Sequence, residues 1–251
     1  MKVVVTGGAG FIGANLCRAL AAAPSVREVV AFDDLSTGSE TNLHGAGLDG
    51  VKLIEGTILD GGALDDVMAG AAAVVHLAAR PSVPRSLIDP MASHHANATG
   101  TLEVLEAARR AGGTHVIAAS SSSVYGASPT MPKREDQPTR PMSPYAASKL
   151  AAEAYVLAYQ HSFDLPTLAF RFFNVFGPLQ RSGHAYAAVV PAFIEATLSG
   201  TPLPVHGDGR QTRDFTFVDS VTAVLTDAVV RGVTCPDPVN LAFGTRHDRC
   251  R

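Results

Sequence analysis

The sequence predicts an α/β fold: a doubly wound parallel sheet followed by a smaller C-terminal lobe. Three observations predict it. Short apolar runs alternate with longer segments of helical spacing. The runs are apolar at successive positions, as strands buried on both faces must be. After Pro178 the texture changes, with prolines, glycines and polar residues becoming denser.

The elements follow in order. "KVVVTG", "EVVAFD", "VKLIEG", "AAVVHLA", "THVIAAS" and "PTLAFRF" are short and rich in Val, Ile, Leu, Phe or Ala, and turn signals follow them. These are the six expected strands. "FIGANLCRALAAA", residues 92–111 and residues 144–159 carry helical spacing between them. Strands separated by helices in this way form parallel crossover units. The stretches "GPLQRSGHAY" and "SGTPLPVHGDGRQTRDF" belong to the loopier lobe, which should pack on the carboxyl ends of the strands. The expected division is residues 1–176 for the sheet domain and 177–251 for the lobe, with elements of the two interleaving. No internal repeat or low-complexity segment is present.

Composition narrows the function. Of 251 residues, 46% are hydrophobic and 17% charged, which suits a large core and argues against disorder. A net charge of −3 gives no general attraction to nucleic acid or to an anionic membrane. No apolar run reaches the ~18 residues of a membrane span, and the start lacks the apolar region and cleavage site of a secretory signal. Cys17, Cys235 and Cys250 are scattered, without metal-ligand spacing, and read as reduced thiols of a cytoplasmic protein. The nine histidines do not cluster as ligands, so no metal site is expected.

Two signals point to a dinucleotide. The first strand runs into Gly7, Gly10 and Gly13, with Phe11 and Ile12 opening the next helix. Glycines there allow a tight turn and close backbone approach to a diphosphate, at the positive end of the helix. The second strand ends at Asp33 and Asp34, with Asp33 twenty residues beyond Gly13. A carboxylate at that place accepts hydrogen bonds from ribose hydroxyls and repels a 2′-phosphate, favouring NAD over NADP. A plain tight turn and a simple turn acid are the bland alternatives.

"SPYAASK" places Tyr145 four residues before Lys149. On a helix the two share a face, about 5–6 Å apart at Cβ. A tyrosine with a pKa of about 10 is a poor base at neutral pH, but an ammonium beside it favours the phenolate. Pro144 suits the first helical turn. The positive helix end should also favour a phenolate. Alone, the pair reads first as an ordinary helix start, since a Tyr-x-x-x-Lys match occurs by chance in many helices.

The pieces "TGGAGFIG", "DDLSTG", "HLAA", "SSSSVYG", "SPYAASK", "RFFNVFGP" and "RDFTFVDS" occur in this order from Thr6 to about Ser220. Together they resemble the extended short-chain dehydrogenase/reductase family, in its nucleotide-sugar 4-epimerase branch. The resemblance implies a Rossmann-type NAD-binding domain and a nucleotide-sugar lobe. It implies that Tyr145 is the general base toward a sugar hydroxyl, that Lys149 tunes it and binds the nicotinamide ribose, and that Ser121 hydrogen-bonds the reacting oxygen. Leu77, Ala78, Ala79 and Phe172 would line the cofactor site, and Ile58 would pack on the adenine. Thr57 replaces the Asp that relatives usually place at the adenine. The implied reaction passes hydride from sugar C4 to NAD and returns it on the other face, so NAD is regenerated in each cycle.

Relatives that dehydrate or decarboxylate their sugar carry an acid just after the catalytic serine. Here Ser122 and Ser123 stand there, as sugar-holding hydroxyls, and the reading tilts to 4-epimerisation. By the same resemblance Asn174 and Arg213 contact the diphosphate of a UDP-sugar and Val189 lies along its uracil. Arg181 would pair with a C6 carboxylate, with Arg85 bordering that end, which places UDP-glucuronate first and UDP-glucose or UDP-galactose next. A homodimer built through a four-helix bundle of residues 92–111 and 144–159 is implied. Residues 245–251 depart from the family pattern, so the lobe is expected to be incomplete and to expose apolar surface. The competing functions are a dehydratase or decarboxylase of the same family, a non-catalytic NAD-binding regulator, and an inactive truncated form.

Overall fold

The computed structural model describes residues 1–45, 48–181, 188–205, 207–244 and 247–248. Strand β1 (Lys2–Thr6) leads into α1 (Phe11–Ala21), then β2 (Glu28–Asp33), β3 (Val51–Glu55), α2 (Gly61–Met68) and β4 (Ala71–His76). Two short helices, α3 (Val83–Ile88) and α4 (Pro90–His94), precede a π-helical turn (His95–Thr99) and α5 (Gly100–Arg110). Strand β5 (His115–Ser121) and a 3-10 turn (Ser122–Tyr125) lead to the long α6 (Pro144–Phe163) and β6 (Thr167–Phe172). The remainder is β7 (Asn174–Phe176), α7 (Val189–Ser199), β8 (Thr212–Arg213), β9 (Phe215–Phe217), α8 (Val218–Arg231), β10 (Val239–Leu241) and β11 (His247–Asp248).

Seven strands form one sheet in the order β10-β6-β5-β4-β1-β2-β3, and every pairing in it is parallel. This is the expected doubly wound fold, and the chain order reverses at β1 and β4, where such sheets open a ligand crevice. All six strands read from the sequence are present. Their two apolar faces explain the two cores. One face packs Leu16, Leu20, Leu225 and Val229 of α1 and α8. The other packs Leu64, Met68, Leu105 and Val156 of α2, α5 and α6.

Two differences from the sequence reading follow from tertiary contacts. The helix expected over residues 92–111 is split by the π turn, a feature common at functional sites. Just after it, Gly100 presses on Ile58: a Cβ there would lie 2.4 Å from the Ile58 Cδ1 atom. Helix α6 continues past Tyr159 to Phe163, whose ring packs on Tyr159 at 4.8 Å. The two lobes interleave: strand β10 and helix α8 come from the stretch after residue 176, β10 joins the central sheet beside β6, and α8 covers its face. The departure at residues 245–251, including Cys250, lies outside the described residues except for β11, which pairs antiparallel with β8.

Among the described residues, no helix is long and apolar enough to cross a membrane. Among them also, no group of three or more His, Cys, Asp or Glu is placed to hold a metal ion.

Candidate active site

A cavity of about 1050 Å³ opens at the carboxyl ends of β1, β2, β4, β5 and β6. Its floor is the turn between β1 and α1. Gly7 sits at φ +70, and a Cβ on it would lie 2.7 Å from the Ala78 amide nitrogen. A Cβ on Gly13 would lie 2.0 Å from the Gly7 carbonyl oxygen. Only bare backbone fits here, so the turn can approach a ligand closely. Gly10 caps α1 without a side-chain hydrogen bond, which leaves the first helical N–H groups facing the cavity. These donors suit a diphosphate.

At one end stands Asp33. Its carboxylate accepts from the Ala9 and Leu35 amides, both at 2.9 Å. The side chain is thereby fixed between the phosphate turn and the loop after β2. Burial pushes its pKa up, against those two hydrogen bonds. Asp34, Ile58 and Thr57 line the same end. The Thr57 hydroxyl already accepts the Leu59 amide at 3.3 Å.

At the other end lie Ser121, Tyr145 and Lys149. Ser143 caps α6 by accepting the Ala146 amide at 3.1 Å, and Pro144 fills the first turn. Tyr145 is thus held at the helix entrance, half-buried, with Lys149 one turn deeper. Ser121 stands beside the Tyr145 phenol and favours its ionised form. The Lys149 ammonium donates to the Ala119 carbonyl at 2.8 Å, and burial lowers its pKa to about 8. The Tyr145 phenol differs from the sequence reading. Burial pushes its pKa up, and Ser121 only partly opposes this. Spacing revealed the charged neighbour but not the desolvation.

The cavity gathers Gly7, Gly10, Phe11, Ile12, Gly13, Asp33, Asp34, Ile58, Leu77, Ala78, Ala79 and Phe172, together with Arg85 and Asn174. Asn174 also borders a second cavity of about 260 Å³ with Val189 and Arg213. Three expected residues lie elsewhere. Ser122 and Ser123 do not line either cavity. Ser123 instead turns inward, its hydroxyl donating to Ser121 Oγ at 2.8 Å and its amide at 3.2 Å. Arg181 donates to the Gly38 carbonyl at 3.3 Å, beside the loop after β2, so it is not brought to the Tyr145 end. Sequence reasoning missed Arg80, His95 and Ala96 on the cavity wall, and Asn97 behind it. Their nearness depends on the π turn, which no local pattern announced.

The NAD dependent epimerase/dehydratase family model matches residues 3–242. The chain belongs to this family. Its cofactor is NAD, and the glycine floor, the helix N-terminus and Asp33 fit that group. The chain is 43% identical over 235 residues to a UDP-glucose 4-epimerase of Mycolicibacterium smegmatis, covering 92% of this chain and 72% of that protein. It is 34% identical over 240 residues to a probable UDP-glucuronate 4-epimerase of Rhizobium meliloti, covering 92% and 67%. Among solved structures, a UDP-N-acetylglucosamine 4-epimerase from Methanobrevibacter ruminantium, in complex with UDP-N-acetylmuramic acid, matches with a TM-score of 0.91. The two are 36% identical, and the match covers 99% of this chain and 78% of that one.

Proposed function

We propose that this chain catalyses 4-epimerisation of a UDP-hexose through transient oxidation at C4. One observation carries the choice over dehydration. Among the described residues, the only carboxylates in the large cavity are Asp33 and Asp34, and both stand at the end of β2. The Ser121–Tyr145 end therefore has no acid for a second proton transfer at C5 or C6.

NAD, when bound, supplies a reversible acceptor for the C4 hydrogen. The chain's own groups handle the proton. Tyr145 Oη takes it from the C4 hydroxyl and later returns it to the C4 oxygen. Ser121, which accepts the Ser123 hydroxyl and stands beside Tyr145, shares the reacting oxygen. Because burial disfavours the phenolate, the nearby Lys149 ammonium and the α6 N-terminus are needed to offset it. Asn174, Val189 and Arg213 line the second cavity, which supports a diphosphate held by Asn174 and Arg213 and a base against Val189. Retention of NAD through successive cycles belongs to the same proposal.

UDP-glucose and UDP-galactose come first as substrates, given the identity to the mycobacterial protein. Arg181 donates to the Gly38 carbonyl, beside the loop after β2, which weakens its case as a uronate partner. UDP-glucuronate remains the second reading because Arg85 lines the cavity, and among the described residues no carboxylate pairs with it. A homodimer through residues 92–111 and 144–159 belongs to the same reading, supported by exposed Met91 on α4 and by exposed Tyr155 and Phe163 on α6. A cytoplasmic location is proposed with it.

The test incubates purified protein with each UDP-sugar, without added cofactor, and separates products by chromatography. Interconversion of UDP-glucose and UDP-galactose is expected. Turnover of UDP-glucuronate alone would select the second reading. Loss of water from the sugar, or no conversion of any UDP-hexose, would overturn the proposal.

A further inference from the structure

His76 closes β4 at the centre of the sheet and is buried there. Its Nδ1 lies 2.7 Å from Thr6 Oγ1, and its Nε2 lies 3.0 Å from Thr101 Oγ1. The partners decide which nitrogen carries the proton. Thr101 has one hydroxyl proton and donates it to the Asn97 carbonyl at 2.6 Å. It can then only accept from His76, so Nε2 bears the ring proton. Nδ1 is left as a lone pair and takes the Thr6 proton, while Thr6 Oγ1 accepts the Ala78 amide at 3.3 Å. Every proton runs one way, from the Ala78 amide to the Asn97 carbonyl. Burial, with the Lys149 charge adding to it, keeps the ring neutral down to a pKa of about 3.

One end of this chain of bonds lies on the cavity floor at Ala78, and the other, Asn97, lies behind the wall and bonds to Arg80 on it. Ala78 is the residue against which Gly7 closes, and both line the floor. Asn97 accepts the Arg80 amide at 2.7 Å and donates to Ser148 Oγ at 2.9 Å. Ser148 in turn donates to the Tyr145 carbonyl at 2.8 Å. A satisfied core histidine would need only two partners of any kind. Here the partners join two walls that β4 alone does not hold together.

We propose that His76 is a positioning residue: by bridging Thr6 to Thr101 in a single tautomer, it sets the Gly7–Ala78 floor against the turn of α6 that carries Tyr145. The inference rests on the proposed role of Tyr145 only for its effect on turnover. Its effect on the cofactor floor stands independently. An apolar ring of similar volume would fill the space but leave the Thr6 hydroxyl proton without its acceptor and Thr101 without its donor.

The first measurement uses the unaltered protein labelled with ¹⁵N-histidine. NMR should show His76 as the neutral Nε2–H tautomer, unchanged from about pH 5 to 8. An Nδ1–H tautomer, or a ring that gains charge in that interval, overturns the proposal. The second compares Thr6→Val, Thr101→Val and His76→Gln with the hydroxyl-retaining Thr6→Ser and Thr101→Ser. The first three should weaken NAD binding and lower kcat by about tenfold each, the loss expected from one directed hydrogen bond. KM for the UDP-sugar should move less than about twofold, and the serine variants should recover NAD affinity and kcat. Variants that lower the melting temperature but keep wild-type NAD affinity and kcat would reduce His76 to a structural residue. If a valine variant does not fold, the tautomer and His76→Gln still decide. If no UDP-hexose is converted, NAD affinity and the tautomer decide without turnover.

Discussion

Arg171→Met should cost this protein about 3–5 kcal/mol of stability, because it leaves a buried carboxylate without its counter-charge. Arg171 on β6 donates to Glu153 of α6 through Nε at 2.9 Å and a terminal nitrogen at 2.7 Å. Both side chains are nearly inaccessible, at 5% and 3% exposure. The other terminal nitrogen donates to the Tyr125 hydroxyl at 2.8 Å. After the change, Glu153 keeps only the Ser120 hydroxyl at 2.6 Å, too little to hold a buried charge. For a chain of this size, each kcal/mol moves the melting temperature by about 2–4 °C, so a fall of roughly 6–20 °C is expected. Urea unfolding and calorimetry would measure it. The double variant Arg171→Met, Glu153→Leu removes both charges and should recover most of the loss. Ser120 adjoins Ser121, so the single variant should also lower kcat. A cost below about 1 kcal/mol, or a double variant no better than the single, would refute the reasoning.

Other outcomes follow from the site. Lys149 has a folded pKa of about 8, below its ordinary value, so its charge is lost as pH rises through about 8. Turnover should fall on that alkaline side, and Lys149→Arg should remove the fall. The stability contribution of Lys149 runs oppositely, rising with pH between about 8 and 10 because the unfolded chain binds the extra proton there. Asp33→Asn removes a charge that opposes a 2′-phosphate by about 3 kcal/mol at ~5 Å and an effective dielectric of ~20. Comparing Kd values should show NADP gaining about a hundredfold relative to NAD. Gly13→Ala drives a Cβ to 2.0 Å from the Gly7 carbonyl, whereas Gly10→Ala brings one only to 3.1 Å from it. The first should abolish NAD binding and destabilise by at least about 3 kcal/mol, and the second should do far less in the same melts.

Much of the fold was legible because each strand is a continuous apolar run and each helix keeps its own period. Strand β1, the glycine turn and Asp33 lie within one short crossover unit, so spacing located them. What was not legible depends on contacts distant in sequence. The π turn answers to Asn97, whose partners Arg80 and Ser148 come from other segments. Strand β10 joins the sheet through β6, some seventy residues earlier in the chain. Arg181 was placed by motif order, but its guanidinium reaches Gly38, a contact no motif encodes. The direction of the Tyr145 shift needed burial, which only the packed structure supplies.

The central claim is transient oxidation at C4, and isotope retention tests it directly. UDP-glucose carrying deuterium at C4 should give UDP-galactose with that deuterium still at C4, and Tyr145→Phe should slow the conversion by about 10²–10⁴-fold. Deuterium washed out into solvent, or conversion undiminished in Tyr145→Phe, would contradict the account.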